Sequence, residues 1–561
     1  MNNVLLLSTF VCLSTSAFGQ SLTTPANVVV EWEYQSARSY ANPFRDVDLT
    51  AEIRRPDGEV FRLPAFWAGG RTWKFRFSTP TSGEYAFATV CSDTTNQSLH
   101  QQQGALSVTP YAGDNPLYQH GGVQVSTDQG YLAHADGTPF FWLADSWWHG
   151  MTTRFRWPDD FQHLTQDRKE KGFTTIQFAV GFPCDIAPFD PRGQNEAGDP
   201  WDTAWHSINP DYFALTDLRI QHLVEQGMMP NIVGAWGYYM KWAGVDNMQQ
   251  HWRYLIARYG AYPVTWTLAG EATLAWYEDL ATRWPEEKAT LRKQWSEVAA
   301  FVQTSDPFDR LLTVHPGPNS GDLKPINAMQ HIDMVMCQSG HGGYFSLPGS
   351  VAVIREAQAL YPDKPVIHGE VCFEGMEGKS GHDVQRFLFW SNMLMGTPGF
   401  SYGVEGIWQF NTEEQTFGPS PVGNVWGNVP WEIAHQYEGS REIGLGKKFL
   451  ENYRWWKLTP VQNRVESQYD DVVSVPFAAT IGDDHLFVYM FRKPASWQPY
   501  QINGLSPQRA YPVTWFNPIT GDAIEDRFSA NSAGKITIDR APIMQDWVLV
   551  VDQSAIATGS R

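Results

Sequence analysis

Positive charge is scarce in this chain: 41 Lys and Arg stand against 60 Asp and Glu over 561 residues, a formal net charge of −19. Such a balance repels phosphate backbones and anionic lipid, and no Lys/Arg-rich run offsets it, which argues against a nucleic-acid partner. Cysteine is scarcer still, with five in the whole chain, too few for a disulfide framework. Cys337 and Cys372 end neighbouring candidate strands, so a bridge between them stays open; buried free thiols are the favoured reading for Cys91, Cys184, Cys337 and Cys372. No Gly-rich phosphate loop follows the first candidate strand, and Gly-x-Ser-x-Gly, His-x-His, His-Glu-x-x-His and Cys-x-x-Cys are missing. Dinucleotide, serine-hydrolase and metal chemistry are therefore not expected, and neither is a cofactor.

One apolar run stands out, residues 4–18, followed by the small-x-small pattern Ala17-Phe18-Gly19. It is too short to span a membrane in a mature protein and reads as a secretory signal over 1–19, although Met1-Asn2-Asn3 lacks Lys and Arg. Cys12 has no small residue just before it, so a lipoprotein anchor is not expected. The expected location is periplasmic or extracellular, with no membrane span later in the chain.

Aromatic side chains, by contrast, are abundant: 25 Trp, 22 Tyr and 32 Phe. Their flat faces suit the apolar faces of sugar rings and equally well fill large cores. With 42% hydrophobic and 18% charged residues the chain is globular, and its length implies about three domains. Short alternating runs such as Val28-Val29-Val30-Glu31-Trp32 and Trp73-Lys74-Phe75-Arg76-Phe77, separated by Pro56-Asp57-Gly58 and Ser82-Gly83, predict an antiparallel β-sandwich over 20–112.

From 113 to 453 strand-like runs alternate with amphipathic helices, one ending at Gly260 and another spanning about Pro285 to Thr304. Eight candidate strands follow: Phe140–Ala144, Thr174–Ala179, Met229–Val233, Val264–Leu268, Leu311–His315, Asp333–Cys337, Val366–His368 and Gly399–Tyr402. This is the pattern of a (β/α)8 TIM barrel, whose active site lies at the carboxyl ends of its strands. Alternation returns in Val472-Val473-Ser474-Val475, His485–Met490 and Trp547–Val551, predicting a second β-sandwich over 454–553 and a disordered tail over 554–561.

Two glutamates end two of the buried runs, Glu271 after strand four and Glu370 after strand seven. Glycoside hydrolysis needs two carboxylates facing one bond, one to protonate the leaving oxygen and one to attack or to activate water. A retaining pair stands about 5 Å apart, and burial beside a second carboxylate raises the pKa of the acid, here expected near ~6. Glu374 follows Glu370 by four residues, a rival nucleophile or a supporting group. The strand ends further supply Asp145, Trp147, Gln177, Trp236, Tyr238, His315, Gln338, His341, Tyr402 and Trp408 as candidate substrate contacts. A long loop, Gly181 to Asn209, carries Asp185, Asp190, Asn195, Asp199 and Trp201 and is expected to close one side of the cleft, favouring exo over endo action.

The motifs Arg76-Phe77-x-x-Pro80-x-x-x-Gly83-x-Tyr85, Gly137-x-Pro139-Phe140-Phe141-Trp142-Leu143-Ala144-Asp145, Trp266-Thr-Leu-Ala-Gly-Glu271, His368-Gly-Glu370-Val-Cys-Phe-Glu374-Gly375 and Trp515-Phe516-Asn517-Pro518-x-x-Gly521 run through nearly the whole mature chain. In this set and order they resemble the apiosidase-like glycoside hydrolases of the large retaining clan. The resemblance implies Glu271 as acid/base, Glu370 as nucleophile and an oligosaccharide or polysaccharide of plant or algal origin as substrate. Gly270 departs from the wider clan, which carries there an Asn that holds the sugar's 2-hydroxyl. The alternatives are a carbohydrate-binding or adhesion protein on a barrel scaffold, and a lyase or transglycosylase.

Overall fold

The computed structural model describes residues 20–128, 130–277, 284–317, 331–469, 471–491 and 499–554. The expected signal segment, 1–19, and the expected tail beyond 554 lie outside the described residues. Two compact units divide the chain, Met1–Tyr111 and Ala112–Arg561.

In the first unit, five strands order as Gln20–Pro25, Gln103–Thr109, Gly83–Cys91, Leu49–Arg54 and Val60–Pro64, antiparallel except for the first pair. A second sheet joins Val30–Gln35, Thr72–Phe77 and Phe66–Trp67. Period-two burial of Leu49, Ala51 and Ile53 turns one face inward. There Trp32 stacks on Phe75 at 4.9 Å, and Phe87 from the other sheet meets both rings edge-on at 5.0 and 5.1 Å.

The second unit is built on eight parallel strands, here β1 (Trp142–Ser146), β2 (Thr175–Ala179), β3 (Met229–Val233), β4 (Thr265–Thr267), β5 (Leu312–Thr313), β6 (Val335–Gln338), β7 (Val366–Glu370) and β8 (Gly399–Tyr402). They pair as β8-β1-β2-β3-β4-β5 and as β6-β7, the neighbour order of a TIM barrel. Hydrogen bonds link the two runs: Asp333 N–H to Leu312 O at 2.9 Å and Thr313 Oγ1 to Met334 O at 2.7 Å on one side, and Glu374 N–H to Gly403 O and Glu405 N–H to Glu374 O, both at 2.9 Å, on the other. Every residue of these strands is buried, which explains why they read as continuous apolar runs instead of alternating ones. Helices cover the outside, among them Pro210–Glu225, capped by the Asn209 side chain, Met240–Tyr259, Trp284–Ser305 and His382–Leu394.

A polar layer crosses the barrel interior. Thr265 and Thr267 hydroxyls donate to Asn231 Oδ1 at 3.1 and 3.0 Å, and Asn231 Nδ2 donates to Gln177 Oε1 at 3.4 Å. Gln177 Nε2 completes it, donating to Ser146 Oγ at 2.8 Å and to the carbonyl of Gly369, the residue before Glu370, at 2.7 Å. Satisfied in this way, the buried groups tie five strands together beneath the mouth.

Beyond the barrel, Leu458–Pro460, Phe477–Ile481, His485–Met490, Trp547–Asp552, Ala510–Phe516 and Ala523–Ser529 form an antiparallel sheet, and Val465–Ser467, Tyr500–Ile502 and Ile536–Ile538 a second one. They share a core of Leu486, Val488, Tyr500, Trp515, Ile536 and Trp547. The expected strand at Val472-Val473-Ser474-Val475 is instead a turn, because Asp471 Oδ1 accepts from the N–H of Val473 and of Ser474. Arg386, on a barrel helix, grips Asp546 of these sheets at 2.8 and 3.0 Å and also binds Glu442, while Phe449 stacks on Phe516 at 4.0 Å. Cys91, Cys184, Cys337 and Cys372 are buried free thiols, and among the described residues no helix is long and apolar enough to cross a membrane.

Candidate active site

Past Thr267 the β4 chain continues alongside the β3 extension, with Gly270 N–H donating to Ala235 O and Gly237 N–H to Gly270 O at 2.9 and 2.7 Å. The indole of Trp236 lies over Gly270, where a Cβ would meet ring carbons at 2.2 Å. Glycine here makes room for the ring. The next residue, Glu271, sits in left-handed backbone, φ 42°, a conformation costly for a residue with a side chain and characteristic of working sites. Trp236 Nε1–H donates to Glu271 Oε2 at 3.0 Å.

Glu370 is the last residue of β7 and 6% exposed. Gln338, the last residue of β6, donates from Nε2 to Glu370 Oε1 at 2.7 Å and to Glu271 Oε1 at 3.1 Å. Sharing one donor, those two oxygens lie within about 5.8 Å of each other, the sum of the two distances. Two histidines complete the surroundings of Glu370. His341 Nδ1 accepts from Phe373 N–H and its Nε2 meets Glu370 Oε1 at 3.1 Å; His315 Nδ1 accepts from Glu271 N–H and its Nε2 lies 3.4 Å from Glu370 Oε2. Because a backbone amide occupies each Nδ1, the ring proton is on Nε2 in both, aimed at the carboxylate without a cation being required.

The two carboxyl groups are driven apart electrostatically. Burial pushes Glu271 up to about 7, and the neighbouring charge of Glu370 adds to it. Burial acts on Glu370 in the same upward direction, yet the ring N–H groups that His315 and His341 turn toward it outweigh it and hold that carboxyl well below the usual carboxylate range. One acid is kept protonated and the other ionised, the division of labour that a displacement with acid assistance requires.

Trp236, His315, Gln338 and His341 thus gather with Glu271 and Glu370, while other residues expected at the mouth are engaged elsewhere. Asp145 is fully buried, its oxygens taken by Ser146 N–H, Trp147 Nε1–H at 2.8 Å and Arg168 Nε at 2.6 Å. Trp147 packs among Phe155, Phe161 and Phe410, and it is the next residue, Trp148, that faces Trp236 and His315 at 5.3 and 5.7 Å. Gln177 belongs to the floor layer. Tyr238 is buried against Trp276, its hydroxyl near the carbonyls of Pro183 and Ile186 in the long loop. Tyr402 donates to Glu374 Oε2 at 2.5 Å, and Glu374 Oε1 accepts from Gly439 N–H at the start of helix Glu438–Leu450. That places Glu374 as a helix-end anchor, not as a rival to Glu370. Trp408 is buried next to His149, ring centroids 6.2 Å apart. Sequence reasoning missed Trp148, although period two along the strand end separates it from Trp147, and missed Tyr277, which bonds Asp185.

The apiosidase-like catalytic domain family matches residues 126–457, and a domain of unknown function, DUF5060, matches 26–92. The chain belongs to the apiosidase-like family and is a glycoside hydrolase. Among solved structures it is similar to a glycoside hydrolase at 21% identity and TM-score 0.64, covering 79% of this chain and 99% of that one. A glycoside hydrolase family 5 protein from Bacteroides vulgatus matches at 21% identity and TM-score 0.65, over 79% and 94% of the two chains. A third structure, from the same organism, matches at 18% and 0.65, over 95% and 100%. At these identities the structures speak for the fold alone. No curated protein matches the chain.

Proposed function

We propose that the protein is an exported, retaining, exo-acting glycosidase of plant or algal polysaccharide or its oligosaccharides, with Glu271 as acid/base and Glu370 as nucleophile. The observation that carries this reading is the shared Gln338 donor, which keeps one oxygen of each carboxyl group within about 5.8 Å of the other. An inverting pair stands roughly 6.5–9.5 Å apart to admit a water, whereas a retaining pair needs about 5 Å.

Protonated Glu271 gives its proton to the leaving oxygen as the glycosidic bond breaks, while an oxygen of Glu370 bonds to the anomeric carbon. Ionised Glu271 then takes a proton from water, which attacks the same carbon and releases Glu370. The exo reading draws support from Arg192 in the long loop, which is held by Asp190 and donates to the carbonyls of Phe417 and Pro419 at 3.0 and 3.1 Å, tying the loop after β2 to the one after β8. Export draws support from the leader-like residues 4–18.

A purified-polysaccharide panel, with the released sugar identified and its anomer followed by NMR at early times, tests all parts together. Release of one monosaccharide from chain ends with retained configuration is expected. An inverted product overturns the role of Glu370, and mid-chain cleavage overturns the exo assignment.

A further inference from the structure

Asp185 lies six residues beyond the end of β2, in left-handed backbone at φ 58°. Aspartate is among the few side chains that tolerate that conformation, and its use here fixes where the carboxylate points. The group carries no ion pair among the described residues. Neutral donors hold it instead: the Tyr277 hydroxyl and, by a further hydrogen bond, the Trp426 side chain. Arg154 acts on it electrostatically, yet that guanidinium donates to the carbonyls of Arg192 and Gln409 at 2.9 and 3.2 Å. An ionised carboxylate offers about four acceptor positions, so acceptor capacity remains.

Its surroundings put it at the barrel mouth: Tyr277, its partner, follows Glu271 by six residues on the segment after β4. Asp185 senses the charge of Glu370, Tyr277 that of Glu271, and the adjoining Cys184 thiol senses both. Asp185 as a residue is half-buried. A separate observation comes from the carboxyl pair itself: Gln338, 3% exposed, leaves its side-chain carbonyl oxygen without a partner while its Nε2 serves both glutamates. A buried acceptor in that state costs stability until a donor arrives. Spare acceptors at Asp185 and Gln338 call for a ligand rich in O–H donors, and the negative charge of Glu370 repels one that is itself anionic.

We propose that Asp185 determines specificity by accepting hydrogen bonds from adjacent hydroxyls of a neutral sugar ring seated against Glu271 and Glu370. The inference rests on the glycosidase reading, and the test separates the two. Wild-type, Asp185→Asn, Asp185→Ala and Tyr277→Phe proteins are assayed on the polysaccharide panel. Each is also titrated, through tryptophan fluorescence, with D-glucose, D-galactose, D-mannose, D-xylose, L-arabinose, D-glucuronate and D-galacturonate. In both Asp185 variants kcat/KM is expected to fall about 10- to 100-fold, mainly through KM, with a matching loss of affinity for a neutral sugar. Tyr277→Phe, which frees the carboxylate without removing it, is expected to lose less than about tenfold, and Asp185→Asn to keep its melting temperature.

Unchanged KM and sugar affinity in the Asp185 variants overturn the inference while leaving the glycosidase reading intact. So does a fall in melting temperature common to Asp185→Ala and Tyr277→Phe with KM unmoved, the mark of a loop strut. Tighter binding of a uronate than of its neutral parent overturns the substrate class. A wild-type protein that hydrolyses nothing, but whose sugar binding weakens in Asp185→Asn, upholds the inference and defeats the glycosidase reading. Neither hydrolysis nor sugar binding by the wild type overturns both.

Discussion

Asp145 and Glu370 lie at the carboxyl ends of strands in the same barrel, both almost without exposure, yet they are neutralised in opposite ways. Asp145 meets a guanidinium: Arg168 reaches it at 2.6 Å, with no side-chain exposure on either partner, and Asp167 joins from the other side. Glu370 meets amide and imidazole N–H groups whose own orientation is set by backbone amides. A carboxylate paired with a fixed cation has little left to give a substrate. One held by neutral donors keeps its charge, and with it the lone pairs that can form a bond. Counter-ion chemistry thus separates scaffold from reactive group where burial does not.

The comparison breaks most decisively at Glu370, the proposed nucleophile. Glu370→Gln is expected to lower kcat by at least about 10⁴-fold with the fold intact, checked by initial rates and circular dichroism; a rate near wild type removes Glu370 from the chemistry. Glu271→Gln is expected to cost about 10²- to 10⁴-fold, and less on an aryl glycoside whose leaving group needs no proton. On the scaffold side, Arg168→Met strands the Asp145 charge and is expected to cost about 3–5 kcal/mol in urea unfolding, leaving KM of the surviving folded enzyme unmoved.

Finer still is the pH dependence of kcat/KM. Glu271 must be protonated and its carboxyl is raised to about 7, so activity is expected to decline about tenfold per unit as pH climbs beyond 7. Glu370 must be ionised and is held low, so the acid limb falls below the usual carboxylate range. His341→Phe removes one donor and is expected to move that acid limb upward, the smallest effect of the series. An unmoved limb assigns it to another group.

Much of this was legible in the chain. The barrel strands are short and wholly buried, so each reads within about two residues of its observed ends, and the two glutamates stand where those runs stop. The same burial weakens the information about faces: Trp147 and Trp148 are both buried, and only the two-residue period of the strand end tells them apart. Asp145 was read as a sugar ligand because its partner Arg168 lies 23 residues downstream on helix Asp159–Glu170, a pairing no local pattern announces. Glu374 and Tyr402 met in the same hidden way, across 28 residues.

Gly270 and Trp236 form a lock with an evolutionary corollary. Because the indole fills the volume any side chain at 270 would need, the two positions cannot mutate independently, and an asparagine at 270 becomes accessible only after the ring at 236 has shrunk. Directed evolution toward other sugars should randomise both codons at once, since libraries that vary 270 alone sample mostly misfolded mouths.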